Sequence, residues 1–221
     1  KKDESFRAAS QHFFKEGVEC YGIRASVIKK MSKELFPKLK DLPKKELFAL
    51  CEELWKSGYL EETFFAANWT YAIRKKFEPE DFITFKHWID SYIYNWASCD
   101  IFCNHTMGAF IEMYPSFLNE LKKMTLSDNR WTKRAAAVSL IIPAKKGLFL
   151  NNVFEIADLL LSDKDDMVQK GYGWLLKVAS LKHQMEVFDY VMSKKEIMPR
   201  TAFRYAIEKL PKDLKQKAME R

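Results

Sequence analysis

Residues 95 to 100 read Asn-Trp-Ala-Ser-Cys-Asp, which places Trp96 and Asp100 four apart. On a helix that spacing stacks the indole and the carboxylate on one face. A fixed carboxylate beside an aromatic wall can stabilise positive charge that develops in a transition state. It can also orient a water and take its proton. The plainer reading is a packed tryptophan next to a solvated aspartate, and on composition alone both readings stay open.

Three further groups lie downstream. Arg134 sits in Trp-Thr-Lys-Arg-Ala-Ala-Ala-Val, and Trp174 in Gln-Lys-Gly-Tyr-Gly-Trp-Leu-Leu-Lys. Basic residues scatter through the same half: Lys133, Lys145, Lys146, Lys170, Lys177, Arg200 and Arg204. Taken singly, the tryptophan reads as core or edge of core, and the arginine as a partner for Asp100 or for a backbone carbonyl. Cys99, Cys103 and His105 lie close in sequence, but a zinc site draws three or four converging ligands, usually from turns. Two cysteines four apart on an apolar helix read as core, so no metal and no cofactor is expected. The chain carries no glycine-rich phosphate loop, no His-Glu-x-x-His motif and no placeable Ser-His-Asp set.

These residues need elements to hold them. The chain has 221 residues, enough for one domain or one continuous array spanning 1–221. Its 37 Lys and Arg outnumber 30 Asp and Glu, a formal charge of +7 that permits an anionic partner without requiring one. No run approaches the roughly 18 apolar residues that a membrane span needs, so no membrane partner is expected. Four cysteines are too few for a disulfide framework in a chain this long, which points to reduced thiols and a cytosolic setting.

Seven glycines and seven prolines are present. Gly17, Pro43, Gly58, Pro79, Pro115, Pro143, Gly147, Pro199 and Pro211 are expected to bound segments of helical length. Between them the apolar spacing is helical. Leu47, Leu50, Cys51 and Leu54 form one expected stripe, and Val153, Ile156, Ala157 and Leu160 another. The fold class is all-α. Segments beginning near 131, 168 and 200 each run from basic or polar residues through small residues into an apolar helix, at a step of roughly 35 residues. That step suggests a curved HEAT-like helical-repeat solenoid, with Ala135, Ala136, Gly171, Gly173 and Ala202 allowing close helix approach. A single globular bundle is the alternative.

The set Trp96, Asp100, Arg134 and Trp174, in this order and in these local contexts, resembles the AlkD family of bacterial DNA alkylation repair glycosylases. Met-Pro-Arg-Thr-Ala-Phe-Arg-Tyr-Ala-Ile-Glu-Lys-Leu near the C-terminus is similar to that family as well. The resemblance runs from about Tyr21 to the end and is weakest over residues 1–38. It implies a HEAT-like fold with a concave basic face on double-stranded DNA, and excision of N3- and N7-alkylated purines such as 3-methyladenine and 7-methylguanine. It implies catalytic roles for Asp100, Trp96 and Trp174, a place in the cleft for Arg134, and excision without base flipping. Lys133, Lys170 and Lys177 are the further expected DNA-binding residues, and a monomer is expected.

The chemistry asks for those residue types. Alkylation at N3 or N7 leaves the purine cationic, hence a good leaving group without a general acid. Charge then builds on the sugar, as in glycosidases. Where the family often carries arginine, this chain has Lys177, which keeps the charge and loses the bidentate fork. Asn104, one turn beyond Asp100, could face the same groove. Tyr21 reads equally well as a nucleic-acid contact or a packing residue. A non-catalytic DNA-binding repeat protein and a protein-interaction scaffold are the competing readings. Asp100 separates the enzyme from the non-catalytic DNA binder, since binding a polyanion gains nothing from an acid.

Overall fold

A computed structural model describes residues 3–15 and 17–220. Among the described residues there is no strand, only one isolated bridge between Glu19 and Tyr59. No helix among them is long and apolar enough to cross a membrane. The chain divides into two compact units, one up to Thr106 and one from Met107.

The first unit holds α1 (Glu4–Phe13), α2 (Ala25–Leu35), α3 (Lys44–Lys56), α4 (Leu60–Ala72), α5 (Asp81–Tyr92) and α6 (Trp96–Phe102). Helix α4 packs against α2, α3 and α6. The expected punctuation largely holds. Pro43 caps α3 and Gly58 closes it. One face differs. The buried side of α3 is Leu47, Phe48, Cys51 and Trp55, whereas Leu50 is 37% exposed. The larger rings of Phe48 and Trp55 bury more apolar area than the leucines, so they set the rotation of the helix. They join Phe85, Trp88 and Phe102 in an aromatic core.

The second unit holds α7 (Gly108–Met113), α8 (Leu118–Met124), α9 (Arg130–Val138), α10 (Ile141–Lys145), α11 (Leu150–Leu160), α12 (Asp166–Ala179), α13 (Gln184–Ser193), α14 (Arg200–Ala206) and α15 (Lys212–Met219). Helix α12 is its hub, touching α9, α10, α11 and α14. Val153, Ile156, Ala157 and Leu160 are all buried, as their spacing predicts. Pro143 departs from expectation, because it lies inside α10 rather than at a boundary. It is the third residue there, where a missing N–H costs no intrahelical bond.

Small residues do the close packing that the repeat pattern predicts. A Cβ on Gly173 would stand 2.8 Å from the Ala202 carbonyl oxygen and 2.8 Å from Tyr205 Cβ. Only glycine allows α12 and α14 this approach. Ala135, Ala136 and Ala202 are fully buried. The result is an all-helical fold of successive packed helix pairs, as in HEAT-like arrays.

Candidate functional site

Asn95 starts α6. Its side-chain oxygen accepts from the Ser98 backbone N–H at 2.8 Å, a standard N-cap. Trp96 is therefore the first residue of the helix and Asp100 stands one turn further on the same face. Both are half-buried. The opposite face is core: Ser98, Cys99 and Phe102 are buried, and Ser98 shares a 3.0 Å hydroxyl contact with Thr63 of α4. The acid helix is thus clamped from behind while its Trp–Asp face stays accessible.

The wall beside Asp100 is braced from the N-terminal end of the chain. Phe14 stacks on Trp96 with centroids 5.2 Å apart and planes 15° apart, and Phe13 meets the indole edge-on at 5.8 Å. Such contacts contribute about 0.5–1.5 kcal/mol each beyond area burial. Trp96, Phe6, Phe13, Phe14 and Phe64 line an apolar cleft of ≈ 410 Å³.

The loop that returns α1 to this position is held by a buried carboxylate. Glu61 accepts from the Tyr21 and Ile23 backbone N–H groups at 2.9 Å each. Between them Gly22 adopts φ 78°, and a Cβ there would meet the Asp3 carbonyl oxygen at 2.6 Å. Tyr21 stacks on Tyr59 at 4.3 Å and donates its hydroxyl to Glu62 at 2.6 Å, which raises its pKa to about 12. The packing role accounts for its ring and its hydroxyl alike. Sequence reasoning missed this bracing altogether. The Phe13–Phe14 pair was the visible signal, but nothing local told which ring it would meet.

Past Phe102 the helix widens into a π turn, Cys103–Met107. Such turns bond i to i+5 and occur often at functional sites. Here Asn104 follows Asp100 by four residues and His105 by five. Cys99 and Cys103 are fully buried. Among the described residues no group of three or more His, Cys, Asp or Glu side chains could hold a metal ion.

The remaining expected residues lie in the second unit. Asn129 caps α9 by accepting from the Trp131 N–H at 2.9 Å. Arg134, one turn into that helix, is only 5% exposed. Its Nη1 donates to the Met167 carbonyl of α12 at 2.5 Å. Gly171 makes the room: a Cβ there would stand 3.3 Å from Arg134 Cγ. Trp174, half-buried, follows Gly171 by three residues on α12. The structure therefore brings Arg134 against the helix that carries Trp174, and gives it the backbone-carbonyl partner of the plainer reading.

The three lysines expected on DNA all hold acids. Lys133 bonds Asp163 at 2.8 Å, Lys170 bonds Asp166 at 2.9 Å, and Lys177 bonds Glu208 at 3.0 Å while lying 5.3 Å over the Tyr205 ring.

Against known proteins, the family model described as DNA alkylation repair enzyme matches residues 1–210. No curated protein matches. A solved structure titled as a predicted DNA alkylation repair enzyme from Enterococcus faecalis is similar, with a TM-score of 0.84 at 19% identity, covering 96% of this chain and 98% of that one. A second, smu.31 from Streptococcus mutans UA159, gives a TM-score of 0.60 at 18% identity, over 85% and 99%. At these identities the structures speak for the fold, and the family match speaks for kinship: the chain belongs to the DNA alkylation repair enzyme family.

Proposed function

We propose that the protein is a monofunctional DNA glycosylase that hydrolyses the N-glycosidic bond of cationic N3- or N7-alkylated purines, 3-methyladenine and 7-methylguanine among them. The observation that carries this reading is the clamped Trp96–Asp100 face: a half-buried acid one turn from an indole that Phe14 and Phe13 hold in place.

In this mechanism the glycosidic bond breaks toward the purine. Its electron pair neutralises the cationic ring, so no acid needs to protonate the leaving group. Positive charge appears at C1′ and the ring oxygen of the deoxyribose. The Asp100 carboxylate stabilises that charge, an effect worth about 2.7–4 kcal/mol for one well-placed group. Water adds to C1′, and Asp100 accepts its proton. The negative face of Trp96 favours the electron-poor sugar and keeps bulk water away. Trp174 plays the same part from α12, the helix that Arg134 braces through the Met167 carbonyl. No lysine nucleophile is involved, and the base need not leave the stack.

Methylated duplex DNA, treated with the wild-type protein and with Asp100→Asn, tests the reading. Release of 7-methylguanine and 3-methyladenine by the wild type, with a loss of about 10²-fold or more in the variant and unchanged DNA binding, is the expected result. Wild-type protein that binds duplex DNA and releases neither base overturns it in favour of a non-catalytic binder.

A further inference from the structure

The first unit carries a group of cations that the candidate site does not use. It centres on a pair of neighbouring rings, His105 and the half-buried Tyr71. His105, in the π turn, lies 5.3 Å from the Tyr71 ring at the end of α4. The Arg74 guanidinium sits over the Tyr71 ring, 4.4 Å from its centroid, and donates to the Tyr71 carbonyl at 3.3 Å. Lys75 and Lys76 follow directly, both exposed.

Helix α2 supplies the rest. Trp69 of α4 donates its indole N–H to the Ser32 carbonyl at 3.1 Å, which fixes α2 against this end of α4. Lys33 is the next residue, and Lys29 lies one turn earlier, near enough to His105 to act on it electrostatically. Burial of the His105 ring, with Lys29 adding to it, lowers its pKa from the usual imidazole value.

The charge here is uncompensated. Among the described residues Lys29, Lys33, Lys75 and Lys76 have no acid within ion-pair range. The one acid on α2, Glu34, lies 3.9 Å from Lys30. Of the next acids beyond Lys76, Glu78 and Asp81 bond Lys44, and Glu80 is exposed with no ion pair among the described residues. Arg74 is already ordered by its ring contact, so it loses little rotamer freedom on gripping an anion.

We infer that Lys29, Lys33, Arg74 and Lys75, grouped around Tyr71 and His105, form a docking surface for the sugar–phosphate backbone of duplex DNA. The inference rests on the proposed reading of DNA as the partner. The surface supplies affinity without sequence preference, because phosphate contacts position a duplex and do not read it.

The test uses the full chain with Lys29→Ala, Lys33→Ala and Lys75→Ala combined, all at exposed positions. A charge-matched control combines Lys182→Ala, Lys209→Ala and Lys212→Ala, exposed positions of the second unit. Affinity for an undamaged fluorescent duplex is followed from about 50 to 200 mM salt. Three lost phosphate contacts at about 0.9 each reduce the slope of log K against log salt by about 2.7. The control leaves the slope at the wild-type value. An unchanged slope in the patch variant, or an equal reduction in both variants, overturns the inference.

Methylpurine release, measured on the same preparations, separates this result from the proposed activity. A wild type that releases no base while the patch variant alone loses slope sinks the glycosylase reading and upholds the surface. Base release with an unchanged patch-variant slope does the reverse. A wild type with no duplex affinity overturns both.

Discussion

Two groups of lysines, one in each unit, are held in opposite ways. In the second, Lys133, Lys170 and Lys177 each face a carboxylate at 3.0 Å or less, and Arg134 is buried against a backbone carbonyl. In the first, Lys29, Lys33, Lys75 and Lys76 face none among the described residues. A paired lysine that turns to a phosphate exchanges one anion for another, so its net gain is small. An unpaired lysine on the surface exchanges only counterions and water, the source of salt-dependent DNA affinity. The position of a basic residue in the sequence therefore says less about DNA than the presence of an acid beside it.

The aromatic elements divide similarly. Trp96 is braced by rings from a different helix, whereas Trp174 rides on α12, which is locked to α14 through Gly173. One wall owes its position to side-chain stacking and the other to backbone proximity.

The largest effect expected is on chemistry in the first unit. Asp100→Asn lowers base release about 10²–10³-fold and leaves the melting temperature near wild type, measured on methylated duplex and by calorimetry. A comparable fall in stability would show Asp100 to be structural and erase the contrast between the units. Arg134→Ala tests the buried cation of the second unit. It removes the side-chain donor from the Met167 carbonyl and opens space beside Gly171, so it destabilises by about 1–3 kcal/mol in denaturant titration. Gly173→Ala drives a methyl group into α14 and costs about 1–3 kcal/mol by the same measurement. If it costs nothing, the close approach does not position Trp174.

Smaller effects sharpen the cation comparison. Lys170→Ala breaks a partly exposed pair with Asp166, worth about 0–1 kcal/mol. Its DNA affinity at fixed salt falls less than that of Lys29→Ala; the reverse order would place the DNA-binding charge in the second unit. The smallest effect concerns pH. The folded protein holds the His105 pKa below its ordinary value of 6.5, first by burial and then by Lys29. The unfolded chain therefore binds the proton more readily, and stability is lost as pH falls through the ordinary histidine range. His105→Gln removes that component, so its stability changes less than wild type between about pH 7.5 and 5.5.

Much of this was legible in the residues. Helical periodicity gave the all-α class, because a buried stripe must repeat with the helical turn wherever one side of a helix faces a core. It failed at α3, where Phe48 and Trp55 rotated the buried face away from Leu50. The small residues Gly173 and Ala202 foretold a close contact that the structure contains. The Trp96–Asp100 spacing and the Asn95 cap are local, so a single helix start determines them. Bracing and charge pairing are not local. Phe14 meets Trp96 across 82 positions, Lys133 meets Asp163 across 30 and Lys177 meets Glu208 across 31. A carboxylate 30 residues away leaves no mark on the pattern around a lysine. The sequence by itself determined the helices, the face shared by the acid and its indole, and the kinship. Only the tertiary structure decided which rings hold that indole and which cations remain uncompensated, because stacking and ion pairing depend on distance in space.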